Sequence, residues 1–325
     1  MEKLLAGLRA VGERTRLRIL FLLSHGELTV KELTMILNQS QPRVSRHVKL
    51  MGEAELVSRI REGSWVFLRL AEQERTGALA RMIVDLLPGD DDVLRDDLKR
   101  LEKVKAARNE RAALHFDAIA EDWDRIRSLH IAERDVEDAM AHVLGDKKIG
   151  TLVDVGTGTG RMLELFSNLA ETAIGIDASH KMLAIARARM EQSGFADVQM
   201  RHGDVYALPF DTGSIDVVTI HQVLHYLDDP GAALSEAARC LKAGGRLLIV
   251  DFAPHELEFL REDQAHRRLG ITSDQMNVWL TQAGLELSQT QTLPPDLDAE
   301  GGLTVSLWLA EKSAADVLQP SQKAL

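Results

Sequence analysis

At 325 residues the chain is long enough for two domains and their connectors. Hydrophobic residues make up 45% and charged residues 27%, the balance of a water-soluble globular protein, and no apolar run approaches the roughly 18 residues needed to span a bilayer. The single cysteine, Cys240, excludes an internal disulfide framework and a thiolate-rich metal site, and its place in an apolar helical pattern predicts a core residue. The first residues, Met1-Glu2-Lys3-Leu4-Leu5, lack a signal-peptide layout, so a cytoplasmic protein is expected. The net charge of −11 is unevenly spread. Residues 1–70 hold 12 Lys and Arg against 7 Asp and Glu, a net of +5, which leaves −16 for the other 255 residues. A basic first domain on an acidic body fits a phosphate-binding surface confined to one end.

In chain order, Leu4, Leu5, Leu8 and Val11 follow helical spacing, as do Leu17, Ile19, Leu20 and Leu23, and Gly26 stops the second helix. Thr29 is placed to cap a short helix over Val30–Leu37, with Asn38-Gln39 as the turn. Ser40 is placed to cap the next helix, whose first turn tolerates Pro42. That helix turns Val44, Val48 and Met51 inward. Its other face presents Gln41, Arg43, Ser45, Arg46 and Lys49, groups suited to base edges and phosphates. Leu56–Arg61 and Ser64–Leu70 alternate as a hairpin around Glu62-Gly63, with Arg59, Arg61 and Arg69 on a basic edge. Short helix, turn, basic helix and basic hairpin make a winged helix-turn-helix over residues 1–71.

These residues resemble the ArsR family of bacterial repressors over about 70 residues, through Glu13-Arg14-Thr15-Arg16-Leu17-Arg18-Ile19-Leu20, Gly26-Glu27-Leu28-Thr29-Val30-Lys31-Glu32-Leu33, Ser40 to Lys49, and Arg61-Glu62-Gly63-Ser64-Trp65-Val66. The resemblance implies a homodimer on a palindromic double-stranded operator, with Arg43, Ser45, Arg46 and Lys49 near bases or backbone. The metal sensors of that family carry thiolates on the third helix. Here the stretch is Leu28-Thr29-Val30-Lys31-Glu32-Leu33, so no metal is expected.

Residues 72–110 read as a helical dimerisation or connector segment. Glu72–Leu87 is helical, Pro88-Gly89-Asp90-Asp91-Asp92 breaks it, and a long charged helix follows with Leu94, Leu98, Leu101 and Val104 on one stripe. That narrow stripe suits either a coiled-coil seam or one side packed on the body. Phe116 to Asp124 resembles the segment that precedes the cofactor domain in many small-molecule methyltransferases, which implies a lid over the ligand; the spacing equally fits an amphipathic packing helix with Phe116, Ile119 and Trp123 inward.

Over residues 111–312 strand-like runs alternate with helical stretches: Thr151–Val155, Ala173–Ile176, Val198–His202, Ile215–Ile220, Arg246–Asp251, Leu285–Gln291 and Thr304–Ala310. Such alternation predicts an α/β domain with a mostly parallel sheet and ligands beyond the strands' carboxyl ends. The first run ends in Asp154-Val155-Gly156-Thr157-Gly158-Thr159-Gly160. The acid ahead of the glycines would repel a pyrophosphate and can pair with an ammonium, favouring a ligand that carries an amino acid. Asp177 at the end of the second run can accept two ribose hydroxyls, and Asp204, with Val205 beside it, can take an adenine amino group. Residues 313–325 read as a flexible tail.

Together these residues resemble the Rossmann-like S-adenosylmethionine-dependent methyltransferases. The resemblance implies Asp154, Gly156, Gly158 and Gly160 around the methionine moiety, Asp177 on ribose and Asp204 near adenine. His221, Gln222, His225 and Tyr226 follow the fourth run, near where a methyl group would be, with Asp251, His255 and His266 later. His221 and His225 are the candidate general bases, each equally readable as a polar residue lining a pocket. No N-P-P-Y-type motif of a DNA-modifying enzyme follows that run, and a lone cysteine cannot hold a metalloid for arsenite methylation. The whole chain resembles bacterial fusions of an ArsR-type reader to a methyltransferase-like domain. The implied function is a repressor responding to S-adenosylhomocysteine or S-adenosylmethionine and controlling methionine-cycle genes. The alternative is an active small-molecule methyltransferase with an appended regulatory domain.

Overall fold

A computed structural model describes residues 2–62, 65–71, 74–123, 133–195, 198–295 and 302–313; for 60–62, 65, 74, 75, 109, 111–113, 262 and 263 only the backbone is described. The wing tip at Gly63-Ser64, the end of the expected lid at Asp124 and the tail from 314 lie outside the described residues. The chain divides into two compact units, Met1–Arg111 and Ala112–Leu325.

The first unit opens with α1 (Glu2–Val11) and α2 (Arg14–Leu23), the latter capped by the Glu13 side chain accepting from the Arg16 amide. Strand β1 (Leu28–Thr29) leads into α3 (Val30–Leu37). Thr29 accepts from the Glu32 amide while Glu32 accepts from the Thr29 amide, a reciprocal capping box. Asn38 then adopts φ 53°, the left-handed turn that ends α3. Helix α4 (Gln41–Glu53) starts at Ser40 with a proline in its first turn, but the Ser40 side chain makes no capping hydrogen bond. The start therefore rests on the proline and on the burial of Val44, Val48 and Met51. Strands β2 (Val57–Glu62) and β3 (Trp65–Leu70) pair antiparallel, with β1 on the far side of β3.

Helix α5 (Glu74–Asp85) and the 28-residue α6 (Asp92–Ile119) follow. The α6 stripe packs on the body. Leu101 joins the core of Ile19, Leu20, Leu33, Ile36, Val44 and Val48, with Leu98 and Val104 against it. Polar contacts hold the same face. Asp97, fully buried, takes two hydrogen bonds from Arg18 at 2.6 and 2.7 Å and one from Arg100 at 2.5 Å. Arg100 also donates to the Ile36 carbonyl, Lys105 to the His25 carbonyl and Arg108 to Glu32.

In the second unit α7 (Glu133–Leu144) precedes a seven-stranded sheet: β4 (Ile149–Val155), β5 (Ala170–Asp177), β6 (Gln199–His202), β7 (Ile215–His221), β8 (Leu241–Phe252), β9 (Leu285–Leu293) and β10 (Val305–Lys312). The spatial order is β6-β5-β4-β7-β8-β10-β9, parallel from β6 to β8, with β10 antiparallel to both of its neighbours. Helices α8 (Arg161–Phe166), α9 (His180–Gln192), α10 (Pro230–Cys240), α11 (Phe259–Asp263) and α12 (Ser273–Gln282) complete it. Alternate strand residues feed two cores, one on each sheet face. Leu152, Leu248, Val250 and Leu307 serve one, and Val153, Val155, Ile249 and Trp308 the other. Cys240 is fully buried in the second core. Among the described residues no helix is long and apolar enough to cross a membrane.

Candidate functional site

The parallel register brings the predicted cofactor residues to one edge of the sheet. Val155 of β4 pairs with Ile176 of β5 and Ile220 of β7, and His221 of β7 pairs with Val250 of β8. The residues that follow that row, Gly156, Asp177, Gln222 and Asp251, therefore emerge side by side at the carboxyl ends, where open α/β sheets bind ligands.

Gly156, Gly158 and Gly160 have φ of 73°, 52° and 85°, conformations that side-chain-bearing residues rarely adopt. A Cβ at Gly156 would collide with the Val223 side chain, and one at Gly158 would sit 3.4 Å from the Trp123 ring nitrogen. The loop is pinned from below. The amides of Gly156 and Thr157 donate to the Ile176 carbonyl at 2.8 and 2.9 Å, and the Gly158 amide donates to Asp177 at 2.8 Å. The other Asp177 oxygen accepts from the Ser179 amide. Burial raises the Asp177 carboxyl above its usual range, opposed by the amides of Ser179, Gly158 and Ala178. Asp154 lies deeper, 1% exposed, accepting from the Thr219 hydroxyl at 2.7 Å. Asp204 is exposed after β6 and accepts from the Tyr206 amide; Val205 is half-buried beside it. Two buried polar atoms near the loop, Thr157 Oγ1 and Gln222 Nε2, have no hydrogen-bond partner among the described residues.

The predicted lid segment contributes to this unit. Phe116 packs edge-on against Trp123 and Tyr226, with ring centroids 5.5 and 4.8 Å apart. Asp117 accepts from the Ser179 hydroxyl at 2.6 Å, and its carbonyl from Lys181. These contacts show Phe116 packed between Trp123 and Tyr226, with the Trp123 ring beside Gly158, as the packing reading of the segment expects.

His225 is 1% exposed and donates from Nδ1 to Asp251, itself fully buried, at 2.7 Å. Their separation of 26 residues carries no sequence signal, because the pairing depends on β7 and β8 being neighbours. His221 is 9% exposed at the end of β7. Gln222, also predicted, has φ 56°, a strained backbone for a residue with a side chain.

In the first unit, Gln41, Arg43, Ser45, Arg46 and Lys49 are all exposed on α4, and Arg59 is exposed on β2. The Arg61 side chain lies outside the described residues, and Arg69 is half-buried. Among the described residues no group of three or more His, Cys, Asp or Glu is placed to hold a metal ion.

Residues 13–59 match the model of the bacterial regulatory protein arsR family, and residues 153–249 that of the methyltransferase domain. The chain joins an arsR-type helix-turn-helix to a methyltransferase domain. Similar proteins include the YcgJ methyltransferase of Bacillus subtilis, 34% identical over 106 residues, 32% of this chain and 42% of that protein. The arsenite methyltransferase of Aquipseudomonas alcaligenes is 34% identical over 125 residues, 35% of this chain and 36% of that protein. In both cases the chain spans less than two thirds of the relative's length. Among solved structures, an S-adenosylmethionine-dependent methyltransferase of Thermotoga maritima shares the fold with TM-score 0.51 and 24% identity, covering 62% of this chain and 100% of that one.

Proposed function

We propose that the protein is a DNA-binding transcriptional regulator, a cytoplasmic repressor, whose methyltransferase domain binds S-adenosylhomocysteine or S-adenosylmethionine and couples that binding to operator affinity, controlling genes of the methionine cycle. The observation that carries this reading is the α4 face. Five polar residues stand exposed on a helix anchored by Val44, Val48 and Met51, in the same chain as a glycine loop with acids at the strand ends. Two features support the loop as the adenosyl site: its glycines hold positive-φ conformations packed close against Val223, Trp123 and Ala186, and Thr157 Oγ1 and Gln222 Nε2 are buried without partners among the described residues. Gly156, Gly158 and Gly160 would follow the methionine moiety with Asp154 beneath, Asp177 would accept from ribose, and Asp204 with Val205 would flank adenine. When bound, S-adenosylmethionine would supply a methyl group on a sulfonium sulfur.

A ligand changes DNA affinity only through different affinities for the DNA-competent and incompetent states. The segment over residues 72–130 is where that coupling is assigned, since α6 contributes residues to both units. The deciding experiment is fluorescence anisotropy on the gene's own upstream DNA at fixed salt, with no ligand and with each adenosyl compound. S-adenosylhomocysteine is expected to shift the binding curve. If both compounds bind and neither shifts it, the regulatory reading fails.

Arg46→Ala is expected to weaken DNA binding at every sequence tested and to reduce the slope of log affinity against log salt by about 1, as for one lost phosphate contact. Adenosyl affinity, read by calorimetry, should be unchanged.

A homodimer on a palindromic operator accounts for exposed apolar groups on the first unit. Leu4, Leu5 and Leu8 of α1 are 46%, 43% and 47% exposed, and Met82 of α5 and Leu86 just beyond its end are 59% and 79% exposed. The two helices are neighbours, in contact at Gly7 and Leu79, so a partner chain that covers one can reach the other. Leu5→Glu with Leu8→Glu should convert the dimer to monomer in sedimentation velocity. An unchanged sedimentation coefficient would place the interface elsewhere.

The second reading, an active methyltransferase, is favoured by the buried His225–Asp251 pair. Arsenite is a poor acceptor candidate despite the similar arsenite enzyme, because Cys240 is the only cysteine and lies in the core.

A further inference from the structure

We propose that DNA binding by this protein takes up a proton at His47, which then closes an ion pair with Glu13 behind the exposed face of α4. The inference rests on the DNA-binding reading of that face and goes beyond it, since the adenosyl compound plays no part.

His47 lies on α4 between the exposed Arg43, Arg46 and Lys49 and the buried Val44, Val48 and Met51. Its side chain is 12% exposed and turns toward the start of α2, where Nδ1 stands 3.7 Å from Glu13 Oε2. That separation is too long for a hydrogen bond, and Nδ1 is buried with no hydrogen-bond partner among the described residues. The Glu13 carboxylate, by contrast, is fixed. It caps α2, with Oε2 accepting from the Arg16 amide at 3.1 Å and Oε1 from the Thr15 hydroxyl at 3.0 Å. The Thr15 hydroxyl in turn accepts from Gln39, in the turn before α4, at 3.2 Å. A held carboxylate thus faces an imidazole nitrogen across a gap slightly wider than a hydrogen bond. A proton on the imidazole would close it as a charge-assisted pair.

The surroundings withhold that proton in the free protein. Burial holds His47 below the usual imidazole range; Glu13 pulls the other way, and Arg16, Arg43 and Arg46 add to the effect of burial. Burial also acts on Glu13, but hydrogen bonds from Thr15 and Arg16 outweigh it and keep that carboxyl below its usual range, so Glu13 stays ionised near neutral pH. Other charges on the packed elements are engaged elsewhere or open to water. On α1, Arg9 is exposed and Lys3 pairs with Glu55; on α2, Arg14 and Arg18 face Asp91 and Asp97. On α3, Lys31 is exposed and Glu32 pairs with Arg108. Lys49 pairs with Glu53 on α4 itself, and Arg59 of β2 lies beside Gly52, near the far end of the helix.

Arg43 and Arg46 point to where the DNA would lie. A phosphodiester drawn to them offsets their field at His47 and adds negative charge, so the imidazole holds a proton more tightly in the complex. One proton moves from solvent to the imidazole as DNA binds, Nδ1 then donates to Glu13, and the proton returns to solvent on release. The sign follows from linkage. At a pH above the raised pKa of the complex His47 is neutral in both states, and below the depressed pKa of the free protein it is charged in both. Between the two, DNA affinity rises as pH falls.

The test is fluorescence anisotropy of the full-length protein on the gene's own upstream DNA, at fixed salt and without adenosyl ligand, from about pH 8 to about pH 5.5. A rise of one pKa unit at His47 on binding would increase affinity about tenfold per bound chain across that window. His47→Gln should flatten the profile. Glu13→Gln should shrink it while keeping an oxygen to cap α2, and His25→Gln, at an exposed histidine, should leave it as in the wild type. A second measurement needs no variant: calorimetry of the wild type in two buffers of different ionisation enthalpy counts the protons taken up as DNA binds, and uptake is expected. The proposal is overturned if affinity is flat with pH, if calorimetry finds no proton uptake, or if His47→Gln keeps the wild-type slope. Tight binding with a flat profile would remove the proton linkage and leave the DNA-binding reading standing. Failure to bind this DNA at any pH would overturn both.

Discussion

Asp177→Ala is expected to lower affinity for S-adenosylhomocysteine by about 100-fold, from two lost hydrogen bonds to a charged group at roughly 1.5 kcal/mol each. The carboxylate has two tasks. Its oxygens already accept the Gly158 and Ser179 amides, and each keeps a second lone pair for a ribose hydroxyl. On the proposed reading, removing it takes away the ligand's partner as well as the hydrogen bonds that pin the glycine loop. Calorimetry on the purified variant reads the affinity. Ligand-free DNA binding, read by anisotropy, should match the wild type unless DNA binding itself requires the ligand. The pH response provides a second check. Burial raises the Asp177 carboxyl, so as pH falls it takes up its proton earlier than an ordinary aspartate, and ligand affinity should decline with it. Asp177→Asn should lack that acid limb. A wild-type affinity in Asp177→Ala would remove Asp177 from the site.

Asp97→Ala is expected to destabilise the DNA-binding unit by about 3–5 kcal/mol, the usual cost of breaking a buried ion pair from one side. Asp97 is fully buried between Arg18, whose side chain is only 13% exposed, and Arg100, which is 39% exposed. Without the carboxylate, Arg18 keeps a charge in an apolar setting with its bidentate partner gone. The contrast with Arg100→Ala makes the argument specific: that pair is half in water, so its loss should cost under about 1 kcal/mol. Urea denaturation followed on the transition of the first unit distinguishes the two. Equal effects would mean that the cost arises from the helix surface rather than from the buried charge. Because Asp97 lies on α6, the same variant should loosen the hold of α6 on the helix-turn-helix, and hydrogen exchange across α3 and α4 should rise.

Periodicity and local chemistry were enough for most elements. All seven strand runs of the second unit appear within two residues at one or both ends; the inner strands β4, β7, β8 and β10 read as near-continuous apolar runs because they are mostly buried. The inward positions Val44, Val48 and Met51 follow from helical spacing alone. Thr29 caps α3 as its type and position predict. Ser40 does not use its hydroxyl at the next cap, although its type is equally favoured, because side-chain rotamer and loop path decide that bond after the helix is placed.

The glycines and acids of the candidate site were legible for the same local reason: each marks the end of its own strand. Their environments were not. Asp154 and Asp177 look alike in sequence, yet one lies within the sheet under Thr219 and the other binds the loop amides. The α6 stripe allowed a coiled-coil seam or a packed face with equal justice, and only the fold supplied the partner, Asp97 finding Arg18 79 residues away.

What the sequence determined by itself, then, is everything carried by short-range order: the two units' element types, the polar face of α4, the glycine loop and the residues at the strand ends. Tertiary structure decided which of those residues meet. The His225–Asp251 pair exists because the strand order sets β8 beside β7, and Trp123 reaches Gly158 because α6 and the residues after it lead it there. Contacts between distant segments depend on the packing of whole elements, and that information is spread over the chain rather than written at the residues that touch.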